Sequence, residues 1–304
     1  MTLTPIIDSS LLFVRIWITQ LGIGLPESGG AYLAAAEVLD EIADTMAANL
    51  VNAQWEGQSA SGFAEQGAAQ WNSVTGLEKI DQEIATVIAA QADLIIATRK
   101  SLSQIETYLR EARLTAETML SVGQLAEAEA YQWAVAANSS STMKRAMQML
   151  NTVTAQHTSA VLGVNEQLEA LLATLISEGT PTEGGVLSAV NAESAGTLRR
   201  AASIFRVDLM SLKDVVAFCT VTKKWLSAPA VVASGISRRV GQTHGCCTEA
   251  FTDGLRMFEM RRAEVIQKLR EDLASRAALL EWTGASFELT DEETAALLQE
   301  ASVR

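Results

Sequence analysis

The chain has 304 residues, 48% of them apolar but only 5% aromatic, and carries a formal net charge of −13. This length supports a sizeable core built mainly from Ala, Leu, Val and Ile, and four Pro with few turn clusters favour long helices. Nucleic acid is excluded as an expected partner: the basic pairs Arg199-Arg200, Lys223-Lys224, Arg238-Arg239 and Arg261-Arg262 are scattered and read as solvated helix surface, not as one basic face.

The N-terminus, Met1 to Asp8, lacks a basic region and carries an acid early, which argues against a Sec or Tat signal peptide. Leu11 to Leu25 is the most apolar run, but Arg15 interrupts it and it is shorter than the roughly 20 residues of a spanning helix. Asp8 or Ser9 is positioned to cap a short helix that Gly22 and Gly24 stop, with Leu21 to Gly30 as a rigid corner. Gly22-Ile23-Gly24 is not a phosphate loop. No Gly-Lys-Ser/Thr follows, Glu27 stands where a third Gly is needed, and nothing upstream alternates like a strand.

From Ser28 to about Ala53, Leu39, Ile42, Met46 and Leu50 recur at helical spacing. Asn52 to Ala60 then forms the bend of a helical hairpin, with Gly57 closing one helix, Ser59 or Ser61 capping the next, and Trp55 folding back over the groove. On spacing alone, an ordinary helix-helix turn around a buried aromatic accounts for this stretch. The second arm runs to about Leu120 on the seam Leu77, Ile80, Ile84, Val87, Leu94, Leu102, Ile105 and Leu109, with Gln91 and Thr98 inside it and Gly76 as the expected bend.

A polar stretch, Asn138 to Thr142, is expected to precede another arm carrying Met143, Met147, Leu150, Thr154, His157, Val161, Val164, Leu168, Leu171 and Leu175. His157 lies on that seam and reads as a buried, hydrogen-bonded imidazole. Ser177 to Gly185 is the strongest linker signal, and the domain boundary is placed there, giving 1–178 and 186–304. Beyond it, Leu198, Ala202, Phe205, Leu209, Leu212, Val216 and Cys219 form one seam, and Phe251, Leu255, Phe258, Val265, Leu269 and Leu273 its antiparallel partner. Between them lie Ser227-Ala228-Pro229, a short Val-rich helix and Thr243 to Cys247. Trp282 to Glu293 then leads into a last helix. The whole is all-α: long antiparallel helical hairpins in an elongated bundle.

Catalytic constellations are poor. Gly57-Gln58-Ser59-Ala60-Ser61 misses the nucleophile elbow at its last residue and has no strand before it. His244 lies beside Cys246 and Cys247, but adjacent cysteines do not readily supply a tetrahedral zinc site, so no metal and no cofactor is expected. The acids fall on polar helix faces, with no pair distinguished by an apolar setting. Three Cys are too few for a disulfide framework. Cys219 belongs to an apolar seam, whereas Cys246 and Cys247 lie at a hairpin end where one of them is able to form a disulfide between two chains.

A family resemblance rests on particular residues. Leu21-Gly-Ile-Gly-Leu-Pro-x-x-Gly-Gly30, a helix, Trp55-Glu56-Gly57 with Ser59-Ala60, and Ile84 to Arg99 containing Gln91-Ala92 and Thr98-Arg99 resemble the N-terminal region of the mycobacterial EspA-type proteins. Thr243-His244-Gly245 with Cys247 after it, Phe251, a long helix and Phe287-x-x-x-Asp291-Glu292 are similar to the small EspC-type substrates. The resemblance covers about residues 6–118 and 192–300, leaving 119–191 unmatched.

It implies a WXG-like helical fold and a non-enzymatic, virulence-associated substrate of the ESX type VII secretion system. Such proteins are secreted or surface-exposed and work through protein-protein interaction. The implied export signal is composite: Trp55 and Gly57 at a hairpin tip, and Phe287 with Asp291 in a tail where the family has Tyr-x-x-x-Asp/Glu. Implied partners are the secretion ATPase or a chaperone, co-secreted helical substrates and further copies of the chain, with membrane contact for exposed apolar helix faces. The alternatives are a cytosolic scaffold or chaperone for other substrates and, third, a membrane-active effector.

Overall fold

The computed structural model describes residues 4–52, 58–178 and 209–302. Within them the protein is an all-α helical bundle, and no strand occurs among the described residues. The helices are α1 (Pro5–Gln20), α2 (Gly30–Asn52), α3 (Gln58–Ser121), α4 (Leu125–Glu178), α5 (Leu209–Trp225), α6 (Ser227–Val232), α7 (Ile236–His244) and α8 (Glu249–Ser302). A single 3-10 turn, Cys246–Thr248, joins α7 to α8.

Several boundaries differ from the sequence expectation, each for a local reason. The first helix begins at Pro5, where a missing N–H costs nothing, and Asp8 lies in its first turn instead of capping it. The long second arm continues through Gly76, where an added Cβ would lie 3.6 Å from Leu171 Cδ1, an ordinary packing distance. Its end is a turn at Gly123, where Gly123 N–H donates to Leu120 O and Gln124 N–H to Met119 O. Asn138 to Thr142 does not precede an arm but lies inside α4. The Ser141 and Thr142 hydroxyls donate back to Asn138 O, so a polar run remains helical. Likewise α8 continues through Trp282 to Glu293 without a break.

The chain forms two compact units. One comprises Met1–Ala31, Gln82–Glu166 and Ser234–Met260, the other Tyr32–Asp81, Gln167–Ala233 and Arg261–Arg304. In the first unit α1 lays Ile7, Leu11, Val14 and the following Leu21 against Ile95, Leu102, Ile105 and Leu109 of α3 and Val135, Met143 and Leu150 of α4. The buried positions of α3 step by four and three: Ile84, Ile88, Gln91, Ile95, Thr98, Leu102, Ile105, Leu109. Val87 and Leu94, expected in that seam, are only half-buried. Its polar members are partnered: Gln91 Nε2 donates to Thr154 Oγ1 at 3.0 Å, and Gln91 Oε1 lies 2.6 Å from Nδ1 of the half-buried His157.

The second unit holds a buried ion pair. Arg262 Nε and Nη2 donate to the two oxygens of Asp81 at 2.7 and 2.5 Å, and Nη1 to Pro229 O at 3.0 Å. The guanidinium also lies 5.7 Å from the centre of the Tyr32 ring. Arg262 and Asp81 are 3% and 0% exposed, so Arg262 is not the solvated helix-surface residue, nor Asp81 the ordinary surface acid, that the sequence suggests. Burial raises the Asp81 pKa, and Arg262 opposes that rise through its hydrogen bonds and charge. Breaking such a pair from one side strands a charge. Arg262→Ala should therefore lower unfolding stability by about 3 to 5 kcal/mol, and adding Asp81→Leu to an Arg262→Met background should recover most of the loss. Urea denaturation of the three variants checks this.

Candidate functional site

The most constrained place in the first unit is the contact between the corner after α1 and the end of α7. Gly22 has φ +87° and Gly245 φ +79°, a region L side chains rarely adopt. A Cβ on Gly22 would lie 2.6 Å from Thr243 O and 2.9 Å from Gly245 N. A Cβ on Gly245 would overlap Gln20 O and fall 2.5 Å from Leu21 C. Main chain thus meets main chain, with no room for a side chain on either side.

Arg99, projecting from α3, holds the two segments. Its Nη1 donates to Gly24 O at 2.5 Å, and its Nη2 to Leu21 O at 2.7 Å and to Thr243 O at 2.5 Å. Burial lowers the Arg99 pKa. Around this centre Glu27 N–H donates to Thr243 Oγ1 at 3.1 Å, Arg239 Nε to Glu27 Oε2 at 2.7 Å, and Cys246 Sγ lies 3.6 Å from Gln20 O.

His244 sits beneath the joint. It is fully buried, with its ring edge-on to Phe251 at 6.5 Å between centres. Neither ring nitrogen makes a well-formed hydrogen bond. Burial, reinforced by the Arg99 charge, pushes its pKa down to about 4, with Glu27 and the Val240 backbone acting weakly in the other direction. The imidazole is therefore neutral at ordinary pH, an apolar-side packing group and not a base.

Of the residues singled out by sequence, Trp55 and Gly57 lie outside the described residues. Phe287 and Asp291 fall within α8, and their side chains also lie outside the description. Cys246 is exposed and Cys247 half-buried, both as free thiols, and burial with the neighbouring Cys246 pushes Cys247 up to about 11. Cys219 is a buried free thiol. Among the described residues no group of three His, Cys, Asp or Glu is placed to hold a metal ion. In the sequence Arg99, Thr243, His244 and Gly245 are motif residues with nothing to show that they meet, Arg262 reads as solvated surface, and Asp81 is not distinguished from the other acids.

Residues 21–104 match the EspA/EspE family, and residues 222–300 match the family described as excreted virulence factor EspC, type VII ESX diderm. The chain thus carries an N-terminal segment similar to the EspA/EspE family and a C-terminal segment similar to the EspC family. It is thereby related to substrates of type VII ESX secretion, and neither family is one of enzymes. Comparison with curated proteins and with solved structures gives no match. The joint falls inside the matched segments: Leu21, Gly22, Gly24 and Arg99 in the EspA/EspE part, Thr243 to Gly245 in the EspC part.

Two outcomes follow. Gly245→Ala combines a disfavoured φ with a backbone overlap, so it should cost well beyond the roughly 1 to 2 kcal/mol of left-handed strain alone. Gly24→Ala, where φ is +80° and space is open, should cost no more than that strain. Thermal melts of both variants compare the two effects. For His244 the unfolded chain binds a proton near the ordinary pKa of 6.5 and the folded chain only near 4. The unfolded state is thus favoured increasingly as pH falls from about 6.5 to about 4, by up to about 3 kcal/mol. A His244→Phe variant should lose that part of the slope in urea midpoints measured across this range.

Proposed function

We propose that this protein is a non-enzymatic substrate of a type VII ESX system, exported folded, that acts through protein-protein contacts at the cell envelope or outside the cell. The observation that carries the reading is the order of an EspA/EspE-family segment and an EspC-family segment in one chain. Exposed apolar side chains support an interaction role. On α1 they are Leu12, Phe13 and Ile16, and on the corner Ile23 and Leu25, the last two 79% and 86% exposed. The export signal is assigned to Trp55 and Gly57 together with Phe287 and Asp291, and its reader to the secretion ATPase or a chaperone that delivers to it.

A second reading, a cytosolic scaffold for other substrates, rests on the same interaction surfaces. A third, a membrane-active effector, draws on Val215–His244, which by length and apolar composition alone is enough to cross a membrane. That stretch is divided by Leu226 and by Ala233 to Gly235 into separate helices, which weakens it as a continuous span.

The test is fractionation of wild-type and secretion-deficient cells. The export reading expects protein in the medium or surface fraction of the former only, while cytosolic protein in both supports the scaffold. An Asp291→Ala, Phe287→Ala double variant should remain in the cell with an unchanged circular dichroism spectrum. Phe287→Tyr should be exported at least as well as wild type.

A further inference from the structure

Two of the three thiols are neighbours in sequence, and they lie where the main chain has least slack. Cys246 and Cys247 open the 3-10 turn directly after Gly245, the glycine with no room beside the main chain of Gln20 and Leu21. Cys246 is exposed, with its Sγ 3.6 Å from Gln20 O, while Cys247 is half-buried against the apolar core of α1, α3 and α4. The turn is held at a single carbonyl: Thr248 N–H donates to Gly245 O at 3.3 Å and Thr248 Oγ1 to the same oxygen at 2.9 Å. Cys219 is buried and belongs to the other unit.

An exposed thiol with a second thiol on the next residue has a reaction open to it that a lone cysteine lacks. The neighbouring thiol is held at a far higher effective concentration than any thiol of a second chain, so closure within the chain outruns a link between chains. We propose that Cys246 and Cys247 are a redox pair, which small disulfide compounds convert reversibly into a disulfide between adjacent residues, and that closing this ring loosens the joint between Gly245 and the corner after α1. The Cys246 thiolate attacks one sulfur of the oxidant RS–SR, forming a mixed disulfide and releasing RS−, which takes up the proton that Cys246 lost. Cys247 then gives up its proton, its sulfur attacks Cys246 Sγ, and the second RS− leaves and is protonated. Two electrons pass from the cysteines to the oxidant, and two RSH are formed. Burial, with the Cys246 thiol alongside, pushes Cys247 up to about 11, so the second step is the slow one near neutral pH.

An unstrained disulfide joins Cα atoms roughly 4.4 Å or more apart, whereas consecutive Cα atoms lie about 3.8 Å apart. The turn must therefore reshape as the ring closes, and Gly245 has no space to shift without displacing Gln20 and Leu21. A ring so small constrains the unfolded chain very little, so nothing offsets the lost packing. Its strain also makes the bond easy to reduce, as reversible use requires. Under the export reading the pair is reduced in the cytosol and oxidised outside the cell, but the chemistry itself does not rest on that reading.

The test treats the purified, reduced full chain with glutathione disulfide at mildly alkaline pH, blocks remaining thiols with N-ethylmaleimide and digests with trypsin. The peptide Val240–Arg256, which contains Cys246 and Cys247 but not Cys219, should carry no block and be lighter by two hydrogens, while a non-reducing gel shows one-chain mass. The oxidised protein should melt roughly 2 °C or more below the reduced protein, and dithiothreitol should restore the original midpoint. Cys247→Ser, lacking the second sulfur, should keep one glutathione on Cys246. A disulfide-linked dimer, a lasting glutathione adduct on the wild type, or a Val240–Arg256 peptide that never loses the two hydrogens would overturn the pair. An unchanged melting midpoint in fully oxidised protein would overturn its link to the joint. Each measurement uses purified protein, so its failure is distinct from a failure of export.

Discussion

Two helix ends converge on one guanidinium, and much of the first unit depends on it. The last carbonyls of a helix have no intrahelical donor and carry the negative end of its dipole. Leu21 follows α1 and Thr243 lies in the last turn of α7, and their carbonyls both accept from Arg99 Nη2. A single cation thereby satisfies termini more than two hundred residues apart in sequence. This is also why Gly22 and Gly245 are required: any side chain there would hold the two carbonyls apart and out of reach of the same nitrogen.

The second unit solves a comparable problem with a different acceptor. Arg262 spends its donors on the Asp81 carboxylate and on Pro229 O, and its flat face on Tyr32. Burying a charge pair is a poor way to add stability, because desolvation offsets most of the attraction. It is a good way to fix register, because a slip of one turn along α8 would leave both charges unpaired. The same reasoning applies to Gln91 with Thr154 and His157, where polar groups occupy core positions that Leu would fill with more stability and less specificity.

Helix content and the long seams were legible because apolar residues recur at fours and threes. Where the reading failed, the cause is specific. Val87 and Leu94 are as apolar as their neighbours Ile88 and Ile95, so hydrophobicity alone does not tell which of two adjacent columns faces inward. The polar Gln91 and Thr98 give the true phase, and they are the residues a hydrophobic pattern discounts. Asn138 to Thr142 has turn composition, yet its hydroxyls bond back along the helix and leave no break. Arg262 reads as surface because the arginine code is blind to partners, and its partner Asp81 is 181 residues away. The glycine corner and Thr243-His244-Gly245 were visible as motifs. That they touch was not, since a contact between backbones leaves no side-chain periodicity on either side.

A tether changes what an interface must do. Two segments on one chain meet at a high local concentration, so apolar seams alone suffice to keep them together, and buried charges and glycine contacts add little to the population that is bound. Their retention in a single chain points to geometry as the property that matters: one register, one orientation, and corner residues Ile23 and Leu25 exposed next to the close backbone contact at Gly22. A surface presented in that fixed way loses little further entropy when a partner binds it, which is the physical advantage of building it on a clamped corner in place of a free loop.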